Sequence, residues 1–92
     1  MTQMDKNDEI MRIEAHITRL DAQISSAEAA GGDGLAALYF DRGRSWWRLG
    51  EKGKAISDYE RAAAIDSESP AVEALELARR VMNFYHTDLY NP

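Results

Sequence analysis

AALYFDRGRSWWRLGEKGKAISDYERAAAIDSES, residues 36–69, decides the fold. Two runs of helix-forming residues flank a break at Gly50-Glu51-Lys52-Gly53, where two glycines so close together mark a tight turn. In the first run Tyr39, Gly43 and Trp46 follow one another in steps of four and three, so they share one side of a helix. In the second run Ala55, Tyr59 and Ala62 repeat the same steps. Small residues let two helix backbones come close, and rings fill the hollows beside them. The pattern predicts a helical hairpin, with one helix from about Leu35 to Leu49 and the next from about Lys54 to Ile65. Asp58, Glu60 and Arg61 read as the solvated side of the second helix.

The segment resembles a tetratricopeptide repeat. It has the length of one unit, about 34 residues. It also carries Tyr39, Gly43, Trp46, a Leu49-Gly50 turn, Ala55, Tyr59, Ala62 and a closing Ile65-Asp66 in the family's order. Arg42 stands where the family usually has leucine. Ser67 stands where it usually has proline, and Pro70 arrives later. The resemblance implies a module that binds a peptide or protein segment along a concave face lined by the first helix of each unit. Residues that would point there are Ala37, Phe40, Arg44, Trp47 and Arg48, with Val72, Leu75, Arg79 and Met82 from a following helix. The peptide-binding set expected on this ground is Phe40, Arg44, Trp47, Arg48, Leu75, Arg79 and Met82. The family's lysine–asparagine clamp for terminal carboxylates is missing, since Phe40 and Arg44 occupy those places. The arginines nevertheless suit an acidic or carboxylate-terminated partner. Trp46 and Trp47, as helix neighbours, diverge by about 100° and cannot serve the same surface.

One repeat cannot bury its own apolar faces, so flanking helices or a second molecule must cover them. Upstream, residues 7–29 predict an amphipathic helix capped by Asn7 or Asp8. Its apolar residues Ile10, Ile13, Ile17, Leu20, Ile24 and Ala27 recur in alternating steps of three and four, a heptad seam. The seam either packs on the rest of the domain or pairs two copies of the chain. Gly31-Gly32-Asp33-Gly34 ends this helix, and Asp33 is a candidate cap for the next one. Downstream, Ser69-Pro70 signals a fourth helix. Ala71, Ala74, Leu75, Ala78, Val81, Met82 and Tyr85 form its apolar stripe. It is expected to end near Tyr85 and to act as a capping helix, leaving residues 86–92 as an irregular tail. That tail, with Leu89, Tyr90 and a carboxylate end, could fold back on its own domain or dock on a neighbouring copy.

The expected fold is therefore all-α: one domain of four helices, a tetratricopeptide-like helix-turn-helix between an N-terminal amphipathic helix and a C-terminal cap. The chain has 92 residues, no cysteine and a net charge of −5. Disulfides, thiolate metal sites and a cysteine nucleophile are excluded. Acidic and basic residues are interspersed without a basic run, which argues against nucleic acid. No stretch approaches the roughly 20 apolar residues of a membrane span. Met1 to Glu9 lacks an apolar leader core, so a cytoplasmic protein is expected. His16 and His86 lie far apart with no ligand spacing, and the Ser25-Ser26 pair has no histidine beside it. Neither catalysis nor a metal or cofactor is expected. Two functions stay open: an adaptor that binds another polypeptide, and a self-associating module that dimerises through the heptad seam or the aromatic face.

Overall fold

Asp5 opens the first helix. In the computed structural model, which describes the backbone of residues 5–90 and the side chains of residues 5–84, its carboxylate accepts a hydrogen bond from the Asp8 N–H at 2.9 Å. Helix α1 thus spans Lys6–Ala29, starting slightly ahead of the expected Asn7. Helix α2 spans Leu35–Arg48, α3 Lys52–Ile65 and α4 Ala71–Tyr90. The described residues contain no strand, and the chain is all-α with four helices. None of these helices is long and apolar enough to cross a membrane.

Glycines end the first two helices. The Gly32 N–H donates to the Ala27 carbonyl at 2.7 Å across Gly31, whose φ is +113°. At the end of α2, Gly50 takes φ +84°, and the Gly50 and Glu51 N–H groups donate to the Trp47 and Trp46 carbonyls, each at 2.9 Å. This double closure satisfies carbonyls that the helix end leaves open and turns the chain back on itself. Asp33 does not cap α2. That place belongs to Gly34 in the left-handed region, with no side-chain cap. Ser69 behaves as expected: its hydroxyl accepts from the Ala71 N–H at 3.0 Å as α4 begins. The fourth helix runs on to Tyr90, so the irregular tail expected from His86 is helical through that residue. Docking of the tail onto this or another copy concerns side chains outside the described residues.

The hairpin closes on small residues. Gly43 is buried, and Ala55 and Ala62 are fully so. A Cβ placed on Gly43 would stand 2.7 Å from Cε1 of Tyr59, so the tyrosine ring occupies the space a side chain would need. Tyr39 and Tyr59 are buried in the same cluster, whereas Trp46 is only half-buried, with the Lys54 ammonium 4.5 Å from its ring centre.

Helices pack in chain order: α1 and α3 flank α2, and α4 lies on α3. The molecule measures 50 × 45 × 17 Å with a radius of gyration of 15.2 Å. A rounded domain of this length would have a radius near 12 Å. The chain is a slab little thicker than one helix with its side chains, about 10–12 Å across.

The heptad seam of α1 is used inside the chain. Ile13, Ile17, Leu20 and Ile24 are buried, while Ile10 at its start remains 42% exposed. A dimer through this seam would have to strip α1 from α2. Polar contacts add to the attachment. The Tyr39 hydroxyl donates to Glu28 at 3.0 Å, and His16 Nε2 lies 3.3 Å from an Asp41 carboxylate oxygen. Arg42 binds both Asp58 oxygens at 2.8 and 2.9 Å and reaches Asp21 on α1 at 2.9 Å. Asp58 is therefore not on a solvated face. It is buried because a bidentate guanidinium satisfies its charge there. Arg42, at a position where leucine is usual in the family the segment resembles, joins α1, α2 and α3.

A candidate binding groove between α2 and α4

Phe40 and Trp47 lie seven residues apart, two turns along α2, and so face the same way. Phe40 packs on Tyr59 of α3, with ring centres 5.9 Å apart and planes tilted by 40°. Trp47 and Tyr59 then meet Ala74, Leu77, Ala78 and Val81 of α4 around an open cavity of about 300 Å³. Every lining side chain is apolar or aromatic. Leu77, on its outer lip, is 60% exposed. Two cations lie over the ring faces. The Arg44 guanidinium carbon is 5.5 Å from the Phe40 ring centre, and the Lys52 ammonium is 5.1 Å from that of Trp47. At such distances the negative face of a ring attracts a cation without any carboxylate.

Of the expected set Trp47 lines the cavity, while Phe40 packs on its Tyr59 floor and Arg44 stands over the Phe40 ring. Arg48 instead reaches Glu9 of α1 at 3.4 Å, and Arg79 reaches Glu60 of α3 at 2.8 Å. Leu75 packs against the hydrophobic core, and Met82 is half-buried. The contribution of α4 comes from Ala74, Ala78 and Val81, each one residue before an expected position, and from Leu77, two residues from Leu75 and from Arg79. A single-residue shift in register rotates a helix face by about 100°, enough to exchange Leu75, Arg79 and Met82 for Ala74, Ala78 and Val81, with Leu77 one turn before Val81 on the same face. Tyr59, expected in the core alone, is a lining residue that the sequence did not single out, and Lys52, expected in the turn, opens α3 and stands over Trp47. Tyr59 does both: one side fills the space left by Gly43, and another lines the groove.

Burial raises the Tyr59 hydroxyl above the ordinary tyrosine value, partly opposed by Arg44. Burial also raises Tyr39, helped by its hydrogen bond to Glu28 and the charge of that carboxylate. The native chain thus holds these protons more tightly than the unfolded chain, in which tyrosine titrates near 10. Stability from the two tyrosines is fully present below that pH and is lost as pH climbs through the raised native values. Denaturant midpoints should therefore fall between about pH 9.5 and 11.5. Tyr39→Phe should flatten that fall, and a slope unchanged by the substitution would show that Tyr39 does not contribute to it.

A second trough lies between α1 and α2. Glu9, Arg12, Ile13, His16, Ser45 and Arg48 surround a hollow of about 320 Å³. An adjoining hollow of about 230 Å³ adds Lys6, Ile10 and Leu49. Its charges are largely committed: Arg48 to Glu9 and His16 to Asp41. The spacing of Glu9, Arg12 and His16 along one side of α1 was the available sequence signal. Among the described residues no group of three or more His, Asp or Glu side chains is placed to hold a metal ion. The chain matches no family model, no curated protein and no solved structure.

Proposed function

We propose that this chain is a polypeptide-binding module: a tetratricopeptide-type hairpin, extended by α1 and α4, that takes an apolar segment of another protein into the groove between α2 and α4. One observation carries the proposal, the open cavity of about 300 Å³ floored by Tyr59 and walled by Trp47 and Val81. Small-molecule sites usually span roughly 300–1,000 Å³ and enclose most of their ligand. A cavity at the bottom of that range, open along one side, suits one or two side chains projecting from a longer chain. Tryptophan and tyrosine are the residues that most often anchor such contacts. The hairpin's small residues support the tetratricopeptide resemblance, because Gly43, Ala55 and Ala62 are all buried between helices.

Leu77→Asp tests this directly. Leu77 is 60% exposed, so the substitution should leave helix content and melting temperature close to those of the parent chain. It places a carboxylate on the lip of an apolar groove, where an incoming apolar side chain would desolvate it. Peptide ligands selected against the parent chain should bind the variant at least about tenfold more weakly by fluorescence anisotropy. Equal binding would remove the groove from the account. Loss of a dimer on the same substitution, seen by sedimentation, would show instead that the groove joins two copies of this chain.

A further inference from the structure

We infer that the groove selects an acidic–apolar segment: an apolar anchor seated on Tyr59 between Trp47 and Val81, flanked by side-chain carboxylates that pair with Arg44 and Lys52. The inference rests on the groove being the binding surface and adds the chemistry of what enters it.

The charge distribution leads there. The chain carries 16 acidic residues against 11 lysines and arginines, yet among the described residues no carboxylate lines the groove. Of the acids of α3 and α4, Glu60 pairs with Arg79 and Glu76 with Arg80, both at 2.8 Å, while exposed Glu73 stands one turn before Leu77 on α4. Asp58 is held by Arg42 beneath the surface. Arg44 and Lys52 stand over the faces of Phe40 and Trp47. On the α2–α3 side, two cations thus stand beside the cavity of an acidic protein, Lys52 on the ring of the lining residue Trp47 and Arg44 on Phe40, which packs on Tyr59. A cation resting on a ring is held in place yet keeps donors free, so it meets an incoming carboxylate with little further ordering. An uncharged apolar segment would fill the cavity but leave both cations without a counter-charge. A basic segment would be repelled by them.

A random peptide library displayed on phage and panned on the full chain supplies the probes. Enriched peptides are resynthesised with amidated C-termini, so that only side-chain carboxylates remain. Affinity is measured by anisotropy on the parent chain, on Leu77→Asp and on Arg44→Glu/Lys52→Glu, at low and high salt, with an oligothymidylate as competitor. Far-ultraviolet circular dichroism checks folding. Arg44→Gln replaces the double variant should that one unfold, and an Asp/Glu-to-amide swap in the peptide tests the same charges with the protein intact.

The expected result is enrichment of Asp or Glu within a few positions of Leu, Ile, Phe or Met. Affinity should fall about tenfold or more on charge reversal of the rim or amidation of the peptide's acids, and it should weaken with salt. Peptides that keep binding only with a free C-terminal carboxylate overturn the side-chain assignment. Apolar peptides lost on Leu77→Asp but indifferent to the rim charges overturn the inference and leave the groove standing. Absence of enrichment, or binding indifferent to Leu77→Asp, overturns both. Competition by the oligothymidylate that is abolished by rim reversal would assign the cations to nucleic acid and contradict the inference.

Discussion

Gly43→Ala should destabilise the chain by about 1–2 kcal/mol, although replacing glycine by alanine inside a helix ordinarily stabilises by about 0.5–1 kcal/mol. The reversed sign is the diagnostic feature. The new Cβ would lie 2.7 and 2.8 Å from Cε1 and Cδ1 of Tyr59 and 3.2 Å from the Ala55 carbonyl oxygen. The carbonyl belongs to the first turns of α3 and cannot retreat without opening the hairpin. The ring can move, but only against Phe40 or into the groove that it floors. Overpacking of this kind costs about 1–3 kcal/mol, which outweighs the helical gain. Gly43→Val, which adds two further methyl groups in the same space, should cost about 3 kcal/mol or more. Urea midpoints at constant slope give both values. In a Tyr59→Leu background the penalty of Gly43→Ala should shrink or change sign, because the clashing ring atoms are gone. The same substitution bears on function: a Tyr59 ring displaced toward α4 narrows the cavity, so Gly43→Ala should weaken peptide binding from a position that no ligand touches.

The second large effect concerns Arg42 and Asp58. Asp58→Ala should cost about 3–4 kcal/mol, and Arg42→Ala a comparable amount. Their side chains are 16% and 4% exposed, and removal of either leaves a desolvated charge behind. Arg42→Ala also releases Asp21, loosening α1. A domain of this size has only about 5–10 kcal/mol in total, so each single variant should lose a large share of its native signal at moderate temperature. Arg42→Met with Asp58→Leu should recover most of the loss, since apolar side chains of similar volume replace a buried ion pair at little net cost. The exposed pairs Arg79–Glu60 and Arg80–Glu76 give the control: breaking either should cost under about 1 kcal/mol. If Asp58→Ala costs no more than these, Arg42 is not the link between the three helices.

Much of this architecture is legible in the sequence because it rests on local periodicity and on side-chain size. Gly43, Ala55 and Ala62 alternate with Tyr39 and Tyr59 at helical steps, and that spacing alone predicts where two helices close on each other. The α1 stripe from Ile13 to Ile24 is equally plain, although its spacing fits an internal or an intermolecular contact alike. Only the packing of α2 on it decides between them. Two kinds of feature stay hidden. The first is pairing between distant charges. Nothing in the local pattern around Asp58 distinguishes a solvated carboxylate from one gripped by Arg42, because the partner lies across a helix interface. The second is rotational register. The apolar stripe of α4 is broad enough to allow neighbouring settings, and a one-residue difference separates Leu75, Arg79 and Met82 from the lining residues Ala74, Ala78 and Val81. Phe40, Arg44 and Trp47 share one helix, where steps of four and three leave no such freedom. Arg48 follows Trp47 directly and turns toward α1 and Glu9.

The most direct test of the groove is an isotope-filtered nuclear Overhauser experiment on labelled chain with a library-selected, unlabelled peptide. Contacts from one apolar side chain of the peptide to the Trp47 indole, the Tyr59 ring and the Val81 methyls are the predicted result. Contacts confined to Ile13, His16 and Ser45, in the trough on the α1 side, would contradict the account and move the binding surface to the other edge of α2.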